Sequence, residues 1–169
     1  MAADDPLPTL TVDEPTLHSP AMPNTIYFEC EYLDGQTPAL MPCIDGSRLA
    51  DLVAEFERAS GFNDPAGGYG GIVPSYSNLG PLSDYFFGQQ EPVEGDESGE
   101  IYALFCDCGE AGCWPLMAHV RIEGERVLWD RFGQPHRPNR DYSGFGPFEF
   151  DRSAYRQAIE QIAPFSVTD

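Results

Sequence analysis

Three apolar segments separated only by short turns constrain the fold more than any other feature of this sequence. They cover residues 101–105, 116–122 and 126–132. Each segment has the length of one strand, and Gly124 supplies the tight turn between the second and the third. Strands joined so closely run antiparallel, because a parallel pair needs a long crossover connection. The sequence therefore predicts an antiparallel sheet at the centre of the fold.

Further strands are predicted on both sides of this centre. Alternating apolar and polar residues over 26–32 predict a strand with one buried face, and Cys30 falls on that face. The apolar segment 40–44 contains Pro42, which cannot donate to a sheet ladder and so predicts an edge strand. Residues 145–150 form the last predicted strand.

Two amphipathic helices complete the pattern. The first is predicted to begin at an Asp45-Gly46-Ser47 cap and to end near Ser60, and the second begins after Asp151. Helices do not alternate regularly with strands, which argues against a Rossmann fold. The prediction is an α+β domain, a mainly antiparallel sheet of about six strands with two helices packed on one face.

The chain is predicted to hold one domain behind a tail. Residues 1–23 are acidic and proline-rich and show no apolar periodicity, which predicts a flexible tail, and residues 24–169 form the single α+β domain. The tail lacks the basic and apolar regions of a signal peptide, and no apolar segment approaches the ~18–20 residues of a membrane span. We therefore expect a cytoplasmic protein that does not enter a membrane.

The charge of the chain restricts its partners and its chemistry. The formal net charge is −19, and residues 1–100 carry 18 acidic residues against two arginines. Such a chain is not expected to bind nucleic acid, whereas an unknown protein partner with a basic surface would suit it. The sequence contains no lysine, which excludes lysine-dependent nucleotide hydrolysis and Schiff-base catalysis.

Three cysteines lie between the first two central strands. Cys106, Cys108 and Cys113 fall at a predicted turn, so their sulfur atoms are expected to converge. Small reduced residues packed in a tight turn are one interpretation. A zinc site is another, with His119 or His136 as the fourth ligand. A disulfide between Cys108 and Cys113 is a third, which the reducing cytoplasm disfavours.

An irregular segment after the third central strand is dense in hydrogen-bonding groups. It runs from Gln134 to Ser143, and its candidate ligand-binding or partner-binding residues are His136, Arg137, Arg140 and Tyr142. Planar guanidinium groups match carboxylate or phosphate, so the segment could recognise an anion. The alternative interpretation is that the arginines pair with acidic residues of the same chain and fix the segment in place.

A second irregular segment contains the glycine-rich run Gly67-Gly68-Tyr69-Gly70-Gly71. It does not match the dinucleotide-binding pattern, and no helical pattern follows it. We therefore expect these glycines to allow close backbone packing rather than to hold a phosphate.

The second half of the sequence resembles a family of small bacterial proteins. The resemblance rests on C-x-C-G-E-x-G-C-W-P-L, V-x-W-x-x-F-x-Q-P-H-R-P and D-Y-S-G-F-G-P-F-x-F-D-R-x-x-Y and covers residues 101–162, with a weaker similarity in P-A-G-G-Y-G-G-I-V-P. It implies no particular activity, cofactor or catalytic residue.

The function expected from these observations is that of a non-catalytic binding or regulatory protein. An immunity protein that antagonises a basic partner would be one example. The first alternative is a small zinc-binding protein built on Cys106, Cys108, Cys113 and His119. The second is a metal-free hydrolase centred on residues 134–143, with His136, Asp141 and Ser143 as its reactive groups.

Overall fold

The α+β class that the sequence predicts is confirmed by a computed structural model, which describes residues 22–89 and 98–167. Within these ranges the chain forms eight strands and three α-helices. In chain order they are β1 Ile26–Leu33, β2 Thr37–Ile44, β3 Ser47–Arg48, α1 Leu49–Ala59, β4 Tyr69–Gly70, α2 Leu82–Tyr85, β5 Glu100–Cys106, β6 Leu116–Glu123, β7 Arg126–Gly133, β8 Phe148–Asp151 and α3 Arg152–Ile162. Single 3-10 turns lie at Pro74–Tyr76 and Ala163–Phe165.

The strands form two antiparallel sheets rather than the one sheet of about six strands that was expected. The first has the order β1-β2-β3 and the second the order β4-β5-β6-β7-β8. The central hairpin agrees with the prediction, since β6 and β7 pair from Glu123 and Arg126 outward across the turn at Gly124. The short strands β3 and β4 and the helix α2 account for the larger number of elements.

Two isolated bridges connect the sheets at both ends. Leu40 of β2 exchanges two backbone hydrogen bonds with Ile72, just after β4, at 2.7 and 2.8 Å. Asn24, just before β1, pairs with Phe150 of β8. Asp45 fixes this second junction because its carboxylate accepts hydrogen bonds from the backbone N–H of Thr25 and the side chain of Asn24. The backbone pairing therefore runs in a closed circuit around the core.

Pro42 lies in a central strand, so the edge position that it predicted is wrong. The N–H of Leu40 points away from β1 toward Ile72. Because the direction of the N–H alternates along a strand, the backbone nitrogen of residue 42 points to the same side. There β3 pairs with the last two residues of β2 and the bridge pairs with Leu40. The pairing on this side of β2 therefore leaves out residue 42, where proline has no N–H to donate.

The two longer helices begin in different ways. Asp151 caps α3 as predicted, since its carboxylate accepts the backbone N–H of Ala154 at 3.0 Å. The predicted cap of α1 is wrong, because its cap residue is Arg48, without a side-chain hydrogen bond, while Asp45 contacts the segment before β1. Helix α1 contacts β2 and β3, and α3 contacts β1, β7 and β8.

Aromatic side chains fill the centre of the core. Trp129 and Tyr155 are fully buried, and the indole N–H of Trp129 donates to the Tyr155 hydroxyl at 2.9 Å. The Tyr155 hydroxyl in turn donates to the backbone oxygen of Phe86. Cys30 is exposed, contrary to the prediction, whereas Cys43 of β2 is fully buried in the core.

Part of the predicted domain organisation lies outside the described residues. This applies to the predicted tail up to residue 21 and to residues 90–97. Among the residues that the structure describes, no helix combines the length and the apolar character that a membrane crossing requires.

Candidate functional site

The three central cysteines meet at the connection between β5 and β6. Cys106 ends β5, and the backbone N–H of Gly109 donates to the Cys106 oxygen at 2.9 Å, which turns the chain. Gly109 has a φ of +92°, a conformation that glycine adopts without steric cost. The sulfur atoms of Cys106, Cys108 and Cys113 all lie within 4.8 Å of one another. The predicted convergence is therefore present, and we call residues 106–115 the knuckle.

The thiols of the knuckle differ in environment. Cys106 is buried, which raises its pKa to about 12, whereas Cys108 and Cys113 are exposed. The pKa of Cys108 is lowered, first by the backbone N–H of Glu110 and then by the Cys106 side chain. All five cysteines are free thiols. Burial explains Cys106, but the interpretation as small packed residues does not explain two exposed thiols held beside it.

His119 does not belong to the cysteine cluster. Among the described residues, the group of ligating side chains at this place consists of the three cysteines. His119 lies on β6 and is buried, although alternation placed it on the face opposite Ala118 and Val120. His119 lines one pocket together with residues of the segment after β7, among them Gln134 and Pro135.

Trp114 joins the knuckle to the two irregular segments. Its indole N–H donates to the backbone oxygen of Gly67 at 2.9 Å. The ring of His136 stacks on it with an interplanar angle of 5° and a centroid distance of 6.2 Å, and the Arg137 guanidinium lies 5.0 Å from its centroid. His136 Nε2 also lies 2.7 Å from the backbone oxygen of Gly112. The residues on both sides of Cys113 are therefore held against the segment 134–140.

A buried carboxylate fixes the other half of that segment. Glu57 of α1 is fully buried and forms an ion pair with Arg140, whose side chain is 5% exposed. The hydroxyls of Tyr142 and Tyr69 donate to the same carboxylate at 3.2 and 3.4 Å, and the backbone N–H of Gly67 approaches it at 3.5 Å. Burial raises the pKa of Glu57, and the neighbouring Arg140 charge opposes that rise.

These contacts give most of the predicted binding residues a partner inside the chain. Arg140 also donates to the backbone oxygens of Asp64 and Pro65, and Arg137 donates to those of Asp64 and His136. The arrangement agrees with the interpretation that the arginines fix the segment. Tyr142 is buried by the same network, whereas His136 is exposed.

The three groups of the hydrolase hypothesis are engaged in separate contacts. Asp141 accepts the backbone N–H of Ser143 at 2.9 Å, which lowers the pKa of Asp141. His136 instead faces the backbone oxygen of Gly112 and the ring of Trp114. The geometry thus pairs Asp141 with Ser143 and pairs His136 with the knuckle.

The glycine-rich run packs closely, as expected. A Cβ at Gly71 would lie 2.8 Å from the backbone of Leu40, and one at Gly70 would lie 3.0 Å from Asp107. These glycines allow the chain to pass between β2 and the knuckle.

Three residues of this site were not singled out from the sequence. The sequence patterns assign no role to Glu57, Tyr69 or Gln134. A signal existed for Glu57, which follows Leu49 and Val53 at intervals of four residues and so falls on the buried face of α1. Gln134 is buried and donates to the Tyr69 hydroxyl at 3.3 Å.

Comparisons with known proteins do not assign a role, so a role has to be inferred from the residues of the site. No protein-family model, curated protein or solved structure matches this chain.

Proposed function

We propose that this protein binds one zinc ion at the knuckle through Cys106, Cys108 and Cys113. The observation that carries the proposal is the convergence of three sulfur atoms to within 4.8 Å. Thiolate sulfur is a preferred ligand of zinc, and three such ligands leave one position of a tetrahedral site to fill. The two exposed thiols support this assignment because packing alone gives no reason to hold them together.

The fourth position is assigned to His136 or to a water molecule. The cysteine cluster includes neither histidine, but His136 lies against Gly112 and Trp114, the residues on either side of Cys113. With His136 the site is closed, which is typical of structural zinc, and with water it is open. In either case the ion would fix the knuckle, and with it Trp114, beneath the segment 134–140.

Zinc affinity of cysteine variants tests the proposal. Mutation of a residue that only hydrogen-bonds to a metal ligand typically lowers metal affinity by roughly tenfold or more. Replacement of the ligand itself should lower the affinity at least as much. We expect Cys106→Ser, Cys108→Ser and Cys113→Ser each to weaken zinc binding by at least this factor, measured by competition with a chromophoric chelator. Cys30→Ser is the matched control because Cys30 is an exposed thiol on β1, outside the cluster.

Equal zinc affinity in the cluster variants and in Cys30→Ser would contradict the assignment. The fourth ligand is tested separately. His136→Gln should weaken binding if the imidazole coordinates the ion, and unchanged affinity assigns the position to water. His119→Gln should bind zinc as the unmodified protein does.

Binding of a basic protein partner is a second candidate function, favoured by exposed aromatic residues on a strongly acidic chain. Tyr32 and Tyr76 are 58% and 51% exposed, and Tyr27 is also exposed. Tyrosine is enriched at protein interfaces, and a net charge of −19 favours a basic surface opposite it.

A capture experiment with a matched variant tests this second function. We expect a basic protein from cells of the source organism to bind at low salt and to be lost at high salt and with Tyr32→Ala. Gln161→Ala, an exposed change on α3, should capture it unchanged. Equal capture by both variants, or no basic protein at all, would count against this function.

A further inference from the structure

Two of the three thiols in the knuckle are exposed and lie beside each other. Cys108 and Cys113 are exposed, whereas Cys106 is buried. The three sulfur atoms lie within 4.8 Å of one another, and a disulfide bond joins two sulfur atoms at about 2 Å. Oxidants act first on accessible cysteines, and a second thiol within reach converts the oxidised cysteine to a disulfide. The exposed pair therefore has the arrangement of a site of reversible oxidation.

The backbone is fixed at Cys106 and less constrained at the exposed pair. Both the backbone N–H and the backbone oxygen of Cys106 are hydrogen-bonded, and this residue pairs with Tyr69 of β4. Within the parts of the chain that the structure describes, the backbone groups of Cys108 and Cys113 make no hydrogen bond to other backbone groups. A Cβ at Gly112 would meet nothing within 4 Å, so the connection has open space beside Cys113. Cys108 and Cys113 can therefore approach each other while β5 stays paired.

We propose that Cys108 and Cys113 form a reversible disulfide when the protein meets a hydroperoxide such as hydrogen peroxide. The sulfur of one residue loses its proton and attacks the peroxide, the O–O bond breaks, and a sulfenic acid forms while the departing hydroxide takes up the proton as water. The sulfur of the other residue then attacks the sulfenic sulfur, the S–S bond forms, and the sulfenic oxygen leaves with the second thiol proton as water. The two sulfur atoms together lose two electrons, which the two peroxide oxygens gain.

The disulfide would release the zinc ion from the knuckle, and this consequence rests on the proposed zinc site. The thiolate is the form of cysteine that binds a metal, so oxidation leaves Cys106 as the one cysteine ligand of the three. A single protein thiolate does not complete the coordination that zinc requires. The oxidation itself needs only the two thiols and the peroxide, so it can be tested separately from zinc binding.

Oxidation of chelator-treated full-length protein with hydrogen peroxide tests the modification. We expect peptide mapping by mass spectrometry to find a disulfide between Cys108 and Cys113 that dithiothreitol removes. Cys106→Ser should still form this bond, whereas Cys108→Ser and Cys113→Ser should form no internal disulfide at the same peroxide concentration. Cys30→Ser is the matched control, because Cys30 is an exposed thiol outside the cluster, and it should be oxidised as the unmodified protein is.

The same oxidation of zinc-loaded protein, followed with a chromophoric chelator, tests the release of the metal. We expect about one zinc ion to be released for each disulfide formed, and reduction should restore zinc binding. Protein that binds no zinc but forms the disulfide would contradict the proposed zinc site and support the modification. The modification is overturned if the disulfide includes Cys106, or if peroxide produces only irreversibly oxidised cysteine that dithiothreitol does not reduce.

Discussion

Polar contacts from the glycine-rich run 67–71 and from the segment 134–143 converge on Glu57. It accepts hydrogen bonds from Tyr69 and Tyr142 and forms the ion pair with Arg140, all on a side chain without solvent exposure. A carboxylate in such a place is stable only while its charge is matched, because the cost of removing a charge from water is large. The ion pair therefore controls how well both segments are fixed.

The substitution Arg140→Gln should destabilise the fold and make its stability more sensitive to pH. It leaves Glu57 buried without its opposing charge, which costs about 3–5 kcal/mol near neutral pH. The pKa of Glu57 is raised above its ordinary value of 4.5 and should rise further in the variant. A raised carboxyl pKa means that the folded state retains the Glu57 proton to higher pH, so the contribution of this group to stability is greatest below pH 4.5 and is lost as pH rises through the folded pKa.

Denaturant unfolding of Arg140→Gln at a series of pH values from acid to neutral checks this prediction. The loss relative to the unmodified protein should grow as pH rises. The double variant Glu57→Gln/Arg140→Gln has no buried charge and should be more stable at neutral pH than Arg140→Gln alone. A loss that does not change with pH would show that the ion pair is not the cause.

At the residue scale, sequence patterns identified the cysteine cluster but not the buried network. The spacing of Cys106, Cys108 and Cys113 across a turn is a local property, so backbone geometry predicts their convergence. The pairing of Glu57 with Arg140 joins residues 83 positions apart. No local pattern contains such a contact, and Glu57 has the residue type of an exposed helix position.

The ends of α1 and α3 show how one type of signal can succeed and fail in the same chain. Asp151 stands directly before its helix and caps it. Asp45 also precedes a helix, but β3 lies between them. The Asp45 carboxylate instead closes the junction between the sheets. Sequence alone could not make this distinction, because the competing contact with Thr25 depends on tertiary structure.

Removal of the two side chains at the starts of these helices should have unequal effects. Asp151→Ala loses the hydrogen bond to the N–H of Ala154 and should cost about 1 kcal/mol of folding free energy. Ser47→Ala should change the stability by less than about 0.5 kcal/mol, since α1 has no side-chain cap. Thermal and denaturant unfolding compare the two, and equal losses would contradict the assignment of the caps.

The bridge between β2 and the segment after β4 depends on the absence of a side chain at Gly71. In Gly71→Ala the new Cβ would meet the Leu40 backbone at 2.8 Å, so the two chains would have to separate. Overpacking of this kind costs about 1–3 kcal/mol. Gly112→Ala is the control, because a Cβ there meets nothing within 4 Å. Similar melting temperatures for the two variants would contradict the close approach.

At the scale of the whole molecule, two isolated bridges connect the sheets into a closed circuit. The sequence predicted the α+β class and the antiparallel hairpin, because alternation and turn residues are local signals. It did not predict the closure, since the bridges from Asn24 to Phe150 and from Leu40 to Ile72 join segments far apart in the chain. The pocket between β6, β7 and the segment that follows β7 depends on the same tertiary arrangement, so no local sequence pattern predicts it.

The proposed zinc ion would act at this scale by fixing the junction of β5, β6 and the segment 134–140. Removal of zinc with a chelator should lower the melting temperature, because a ligand that binds the folded state stabilises it. The effect should be absent in Cys113→Ser, which is expected to bind zinc poorly in any case. An equal response of both proteins to the chelator would mean that the metal acts elsewhere.

Elemental analysis of protein purified without chelators, combined with a count of reactive thiols, tests the central claim most directly. The account predicts about one zinc per chain, with Cys108 and Cys113 protected from thiol reagents despite their exposure until a chelator is added. Protein free of metal, in which these two thiols react at once and zinc gives no protection, would contradict it.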